Sequence, residues 1–283
     1  MALTVTTNLS SLIVQRNLNK ATNSLNSAIE RMTTGYKINH ARDDAAGFSI
    51  AESWTTKLGS IDVASDNAAM GLNLLQTAEE NYGLINSHLQ RIRDLTEQAA
   101  NGTYGSTSLA AIKEEMTARV EEINRIVGSA EFNDIALMKD GNADIKLQIG
   151  ITNSNSTITL SGSLFGNTTL KTISGYAEAD DTAFIAACAS SSTAAAHLDK
   201  IDKAIDTIST RVTKIGAAQN KVESAMDALS TQSQNITSSL STLRDTDVAR
   251  ESSNYIKAQI LQQASATLMA TANQAPSIAL NLI

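Results

Sequence analysis

Asp43 and Asp44 are the residues of this 283-residue chain that come nearest to a catalytic pair. Two carboxylates that converge on one atom can divide general acid and general base work between them. Neighbouring residues of a helix, however, point about 100° apart, so these two do not share a target. At the start of a helix they have another use, satisfying free backbone amides and complementing the helix dipole. His40, His88 and His197 are isolated in the sequence, and none begins an H-E-x-x-H run. There is no G-x-x-x-x-G-K-[ST] phosphate loop and no G-x-S-x-G nucleophile elbow. Cys188 is the only cysteine, which excludes an internal disulfide and a thiolate metal cluster. No enzyme chemistry, metal or cofactor is implied.

Composition narrows the classes further. Aromatics make up 4% of the chain and there is one proline, which suits long thin helices better than a thick core. The net charge of −7 provides no basic footprint for nucleic acid. No run approaches the roughly 20 apolar residues of a membrane span, and the first residues lack the marks of a cleaved signal. Charge is unevenly spread. Residues 1–40 carry +3 and residues 252–283 carry +1, so the total of −7 leaves −11 for residues 41–251.

The elements that must position any functional residue follow from apolar spacing. Leu18, Ala21, Leu25, Ala28 and Met32 form one thin stripe, and Gly35 is placed as a helix stop. From Asp43 a long helix is expected, with a seam through Trp54, Leu58, Ile61, Ser65, Ala68, Leu72 and Leu75. The seam shifts by one step at Ala78 and resumes at Tyr82, Ile85, Leu89 and Ile92, a local overwinding of a coiled coil. Asn101–Ser106 reads as a turn, and a shorter helix runs from Leu109 to a stop at Gly128.

Alternation at Ile145, Leu147, Ile149 and Ile151, then at Ile158 and Leu160, predicts a hairpin turning at Asn153-Ser154-Asn155. Further short strands are expected between Leu164 and Ile173, and Tyr176–Ser192 reads as a loop holding a short helix. Leu198 to Leu243 then keeps strict three-four spacing, interrupted only by Gln219 and Ser233, for a helix of roughly 70 Å. The fold class that follows is mainly α: an elongated antiparallel bundle of long helices from both chain ends, with a small β-hairpin region, about residues 131–176, at one end. The end segments, residues 1–42 and 252–283, have stripes too thin to hold a helix alone in water. Ala258, Leu261, Leu268 and Ala272 are the apolar line of the last one. These segments are expected to be disordered in a free monomer and to order against each other and against neighbouring copies, with residues 43–251 as the core bundle.

NLSSLIVQRNL, AIERMTTGYKINHARDDAAGFSIA, QRIRDL and IKAQILQQASATLMATANQAPSIAL together resemble bacterial flagellin. The resemblance is dense over residues 1–140 and 195–283. It implies a minimal flagellin without a large outer variable domain, acting as the structural subunit of the flagellar filament that drives swimming. It further implies uncleaved export, in unfolded form, by the flagellar type III system to an extracellular flagellum. The implied partners are other copies of the chain, a flagellin export chaperone, the filament cap and hook–filament junction proteins.

The resemblance also implies a host innate immune partner, the flagellin-sensing Toll-like receptor, on Gln90, Arg91, Leu95, Gln98, Glu115 and Arg119. The alternative for these six is packing of subunit against subunit. The assembly motif falls on Arg31, Asn39, Asp43, Asp44 and Gly47, and the C-terminal assembly residues on Gln259, Leu261, Gln262 and Leu268. Two features depart from the family pattern: Cys188, and an ending in Leu280-Asn281-Leu282-Ile283. The rival readings are a hook–filament junction protein, which tends to carry a proline in the DDAAG stretch, and a discrete coiled-coil adaptor or adhesin.

Overall fold

The computed structural model describes residues 8–139, 143–151, 156–174 and 181–280. Among the described residues there are seven α-helices and two small antiparallel two-stranded sheets, so the fold is mainly α, as expected. The chain divides into two compact units, residues 1–58 with 234–283 and residues 59–233.

In the first unit, helix α1 (Leu9–Thr34) starts where the Asn8 side chain accepts from the Ser11 amide. It stops where Gly35 takes φ 77°, a left-handed value that suits glycine. Helix α2 (Ala45–Ala100) begins in this unit, capped by the Asp44 carboxylate, which accepts from the Gly47 amide at 3.0 Å. The last helix, α7 (Val248–Leu280), is capped in the same manner by Asp247, which accepts from the amides of Ala249 and Arg250.

Helices α1 and α7 pack antiparallel. Asn8 donates to the Ala272 carbonyl at one end of the pair, Gln262 to Thr22 in the middle, and Arg31 meets Glu251 at the other end. The buried residues of this pair are small or polar: Ala21, Ala28, Glu251, Ala258 and Ser265. Here the stripe read from sequence is corrected. Leu261 and Leu268 are 49% and 56% exposed and Met32 is 37% exposed. Small residues recurring every seventh position in α7 let the two backbones approach, and the leucines, three positions further on, are turned about 60° out of the seam.

In the second unit, α2 packs antiparallel to α6 (Ala194–Arg244). Glu79 accepts from Gln219 at 2.7 Å, and Arg93 donates to Asp202 at 2.7 Å. Gln219, one of the two polar occupants of the predicted seam, is therefore satisfied. Ile61, Ala68, Leu75, Ala78, Tyr82, Ile85, Leu89 and Ile92 are buried, as their spacing required. Leu72 is only half-buried, and Leu74 is buried in its vicinity. On α6 the positions buried at seven-residue spacing are Ile201, Ile208, Ile215, Val222 and Leu229. Helix α3 (Ser106–Ser129) adds Ile112, Met116, Val120, Ile123 and Val127. It runs through Gly128 instead of stopping there, and Ala130 ends it with its amide on the Ile126 carbonyl.

A two-residue hairpin that the sequence reading passed over follows. Strands β1 (Glu131–Phe132) and β2 (Ile135–Ala136) are joined by Asn133 and Asp134 at φ 48° and 63°, a turn whose twist matches that of the strands. The predicted hairpin is present as β3 (Ile145–Gln148) and β4 (Thr157–Leu160), with Ile145 opposite Leu160 and Leu147 opposite Ile158. Its turn residues lie outside the described residues. Leu147 sits on Gly71, where a Cβ would have no room, and Asn67 donates to the Gln148 carbonyl.

The strands expected between Leu164 and Ile173 are replaced by a 3-10 turn (Gly162–Phe165) and helix α4 (Leu170–Ser174). The carbonyls there find helix side chains in place of a neighbouring strand. Tyr82 donates to Leu164, and Arg211 donates to Gly166 and Asn167. Helix α5 (Asp181–Cys188) lies in the stretch read as a loop with a short helix.

Candidate functional site

The first cluster is the linker between α1 and α2. The Asp43 carboxylate accepts from the amides of Asn39 and His40 at 3.2 and 3.1 Å. The bond from the His40 amide is the main reason its carboxyl is held below the usual carboxylate range. Asn39 also donates through its side chain to the Tyr36 carbonyl. Asp44 caps α2, and a Cβ on Gly47 would run into Asp44 and Ile38. Four of the expected assembly residues thus form one tightly bonded turn, and Arg31 reaches from the end of α1 to Glu251 at 3.9 Å. Both carboxylates of the Asp43-Asp44 pair are committed to backbone amides, as helix-start residues should be.

Sequence reasoning missed what this linker is tied to. The segment after α6 runs beside it as an isolated β-bridge between Tyr36 and Asp245. The Lys37 amide donates to the Arg244 carbonyl at 2.7 Å and the Thr246 amide to the Gly35 carbonyl at 2.8 Å. The Arg244 guanidinium lies 4.5 Å from the Tyr36 ring centroid and 3.5 Å from a Glu52 carboxylate oxygen. Only a cation in the last turn of a helix hinted at this, and that placement has an ordinary electrostatic explanation.

The second cluster joins α2 and α3. Arg91 donates to Glu115 at 2.8 Å, and Arg119 lies 3.6 Å from the same carboxylate oxygen. The hydrogen bond from Arg91, ahead of the two positive charges, holds the Glu115 carboxyl below its ordinary range. All three side chains remain partly exposed, and Gln90 and Gln98 are exposed on the same helix. Leu95 differs: it is 1% exposed and belongs to the core. It shares a helix face with Arg91 in register but offers no surface to a partner in this fold.

The third cluster is the outer surface of the α1–α7 pair. Gln262 bonds to Thr22, Gln259 is half-buried, and Leu261 and Leu268 point outward. They are accompanied by Ile256 and Ile260 on α7 and by Leu9, Leu12 and Ile13 on α1, all 44–60% exposed. A run of large aliphatics of this density on one helix pair marks a contact surface. Beside it lies an open groove lined by Arg16, Lys20, Arg31 and Lys257.

No group of His, Cys, Asp or Glu among the described residues could hold a metal, and no helix there is long and apolar enough to cross a membrane. The His40 ring meets Glu30 at 2.8 Å, and the His197 ring sits edge-on to Phe184. Cys188 is fully buried, and burial pushes its thiol from 9.0 up to about 12. The unfolded chain therefore releases this proton first, so above pH 9 it binds fewer protons than the native state and stability falls as pH rises. The expected slope is on the order of 1 kcal/mol per pH unit between pH 9 and 12. Denaturant melts of the native chain and of Cys188→Ala check it, since the variant should lose much of that slope. Native Cys188 should also resist alkylation at neutral pH.

Two long antiparallel helices, short helices in support, and terminal helices that join through small residues while holding large aliphatics outward define a class: helical structural subunits. Residues 5–143 match the bacterial flagellin N-terminal helical region, and residues 198–283 match the bacterial flagellin C-terminal helical region. A flagellin of Halalkalibacterium halodurans is 33% identical over 98% of both chains, and one of Xenorhabdus nematophila is 34% identical over the whole of both. The solved structure of a flagellar hook-associated protein from Vibrio parahaemolyticus shares the fold, with a TM-score of 0.59 over 72% of this chain and 100% of that one at 14% identity. The chain belongs to the bacterial flagellin family, the subunits of the flagellar filament.

Proposed function

We propose that this chain leaves the cell unfolded and uncleaved through the flagellar type III system, after handling by an export chaperone. It adds to the far end of an extracellular filament between the cap and the hook–filament junction proteins, and the filament drives swimming. The observation that carries this reading is the outward aliphatic surface of α1 and α7. Water contact on that surface is unfavourable by about 25 cal/mol for each Å² that a neighbouring copy could cover. Residues 1–42 and 252–283 are marginal without such cover, so their final ordering is coupled to arrival in the filament. On this reading residues 43–251 form the core of a minimal flagellin without a large outer variable domain. Electron microscopy of the seeded, purified chain tests the reading. Open-ended filaments support it, and discrete dimers or trimers alone support an adaptor or adhesin.

The Arg91–Glu115–Arg119 network has a second role in this proposal, as the patch gripped by the flagellin-sensing Toll-like receptor. A planar guanidinium that already presents part of its fork to solvent is a usual anchor for such contacts. Arg91→Ala is expected to lower receptor signalling by purified monomer on the order of tenfold. Signalling equal to the unaltered chain, read in receptor-bearing reporter cells, would leave the patch with subunit packing alone.

A further inference from the structure

The second unit carries two exposed helix faces, the one on α6 bordering an open groove whose other wall includes Ser163 and Thr172 to Ser174. On α2, Val63, Met70 and Leu84 recur at multiples of seven and are 59%, 56% and 53% exposed. Asp62, Asp66 and Glu80 are exposed beside them. On α6, Lys203, Lys214 and Lys221 are exposed, and at 3.6 residues per turn they fall within about 20° of one line. The α2 face lies opposite the buried line of Ile61, Ala68 and Leu75, and the lysines sit about 120° round from the buried line of Ile201, Ile208 and Ile215. None of the six charges forms an ion pair with a described residue. Asp62 to Glu80 spans the same number of residues as Lys203 to Lys221, so each charged line is about 27 Å long.

We propose that α2 of one copy docks along α6 of a second copy, with Asp62 opposite Lys221 and Glu80 opposite Lys203. Exposed aliphatics at heptad spacing form half of a helix–helix seam. The lysine stems supply the other half while their ammonium groups meet the flanking carboxylates. The dominant sign and the length agree between the two faces, with an exposed acid, Asp206, beside Lys203 and Lys214. This inference rests on the filament reading and specifies the neighbour contact within it.

The register has a geometric consequence. Within one chain Glu79 faces Gln219 and Arg93 faces Asp202, so α2 and α6 run antiparallel. Copies that share one orientation therefore also meet α2 to α6 antiparallel. Placing Asp62 opposite Lys221 then requires the second copy to be displaced by about 20 Å along the helix axis. The contact uses different faces on the two copies and does not close as a pair, so it extends into an open array.

Two full-length variants test it, one carrying Lys203→Glu, Lys214→Glu and Lys221→Glu, the other Asp62→Lys, Asp66→Lys and Glu80→Lys. Each alone should yield on the order of tenfold less sedimenting polymer than the unaltered chain, because like charges then face each other. An equimolar mixture of the two should regain polymer to within about twofold, since every contact can again join opposite signs. Polymer from either variant equal to that of the unaltered chain overturns the proposal. So does a mixture as defective as its parts when both keep the unaltered helical circular dichroism. A second measurement needs no variant: growth of the unaltered chain should slow severalfold from low to high salt, and salt-independent growth also overturns it. Discrete oligomers from the unaltered chain would instead remove the filament reading itself.

Discussion

Removal of residues 252–283 is expected to abolish filament growth. The truncation takes away nearly all of α7, and with it Ala258, Ser265 and the Gln262–Thr22 bond that face α1. Helix α1 has 26 residues, and without its partner only Ala-sized burial and a thin apolar stripe remain to hold it. An isolated helix of that kind is marginal in water. Circular dichroism of the free chain should therefore change by no more than the helix that α7 contributes there, since both ends order fully only under the cover of neighbours. The outward Ile256, Ile260, Leu261 and Leu268 go as well, so neighbours lose their contact surface. Growth of ordinary filaments by the shortened chain, seen by electron microscopy, would refute the role assigned to the terminal pair.

The second large effect is expected at Leu89, and Leu84 is its control. Leu89 is fully buried on α2, whereas Leu84, less than two turns away, is 53% exposed. Leu89→Ala removes buried methyl groups and leaves a cavity between long helices that cannot easily collapse, for a loss of about 2–5 kcal/mol. Leu84→Ala should stay within about 0.5 kcal/mol of the unaltered chain. Urea unfolding of both variants checks the contrast. Equal effects at the two positions would contradict the seam on which the second unit is built.

Where residues of the right size recur at the right spacing, the fold was legible in advance. Helix α6 is the clearest case, with Ile201, Ile208, Ile215 and Val222 keeping their period and all buried. Gly35 and Asp44 were readable because a helix end demands particular chemistry, a left-handed residue or a free acceptor. The hairpin at Ile145 and Leu160 was readable from alternation. The failures share a physical cause. Leu261 and Leu268 were read as one line with Ala258 and Ala272, but the two helices join through alanine and serine and the leucines lie to one side. Leu95 carried the same label as exposed Gln90 and Gln98 until its rotation about α2 was known. Asn133-Asp134 turns a hairpin too short to show any alternation. The Tyr36–Arg244 contact joins residues about two hundred positions apart, and neither reveals the other.

The bridge between Gly35–Lys37 and Arg244–Thr246 has a consequence for the order of events. Closing a flexible loop of about two hundred residues is opposed by roughly 5 kcal/mol of chain entropy. Two backbone hydrogen bonds and one cation over a ring provide less than that. This latch therefore cannot shut first. It waits until α2 and α6 have zipped together and made the loop effectively short. Until then the segments on either side of the bridge are not joined there, and on heating the bridge is expected to open before the α2–α6 packing does.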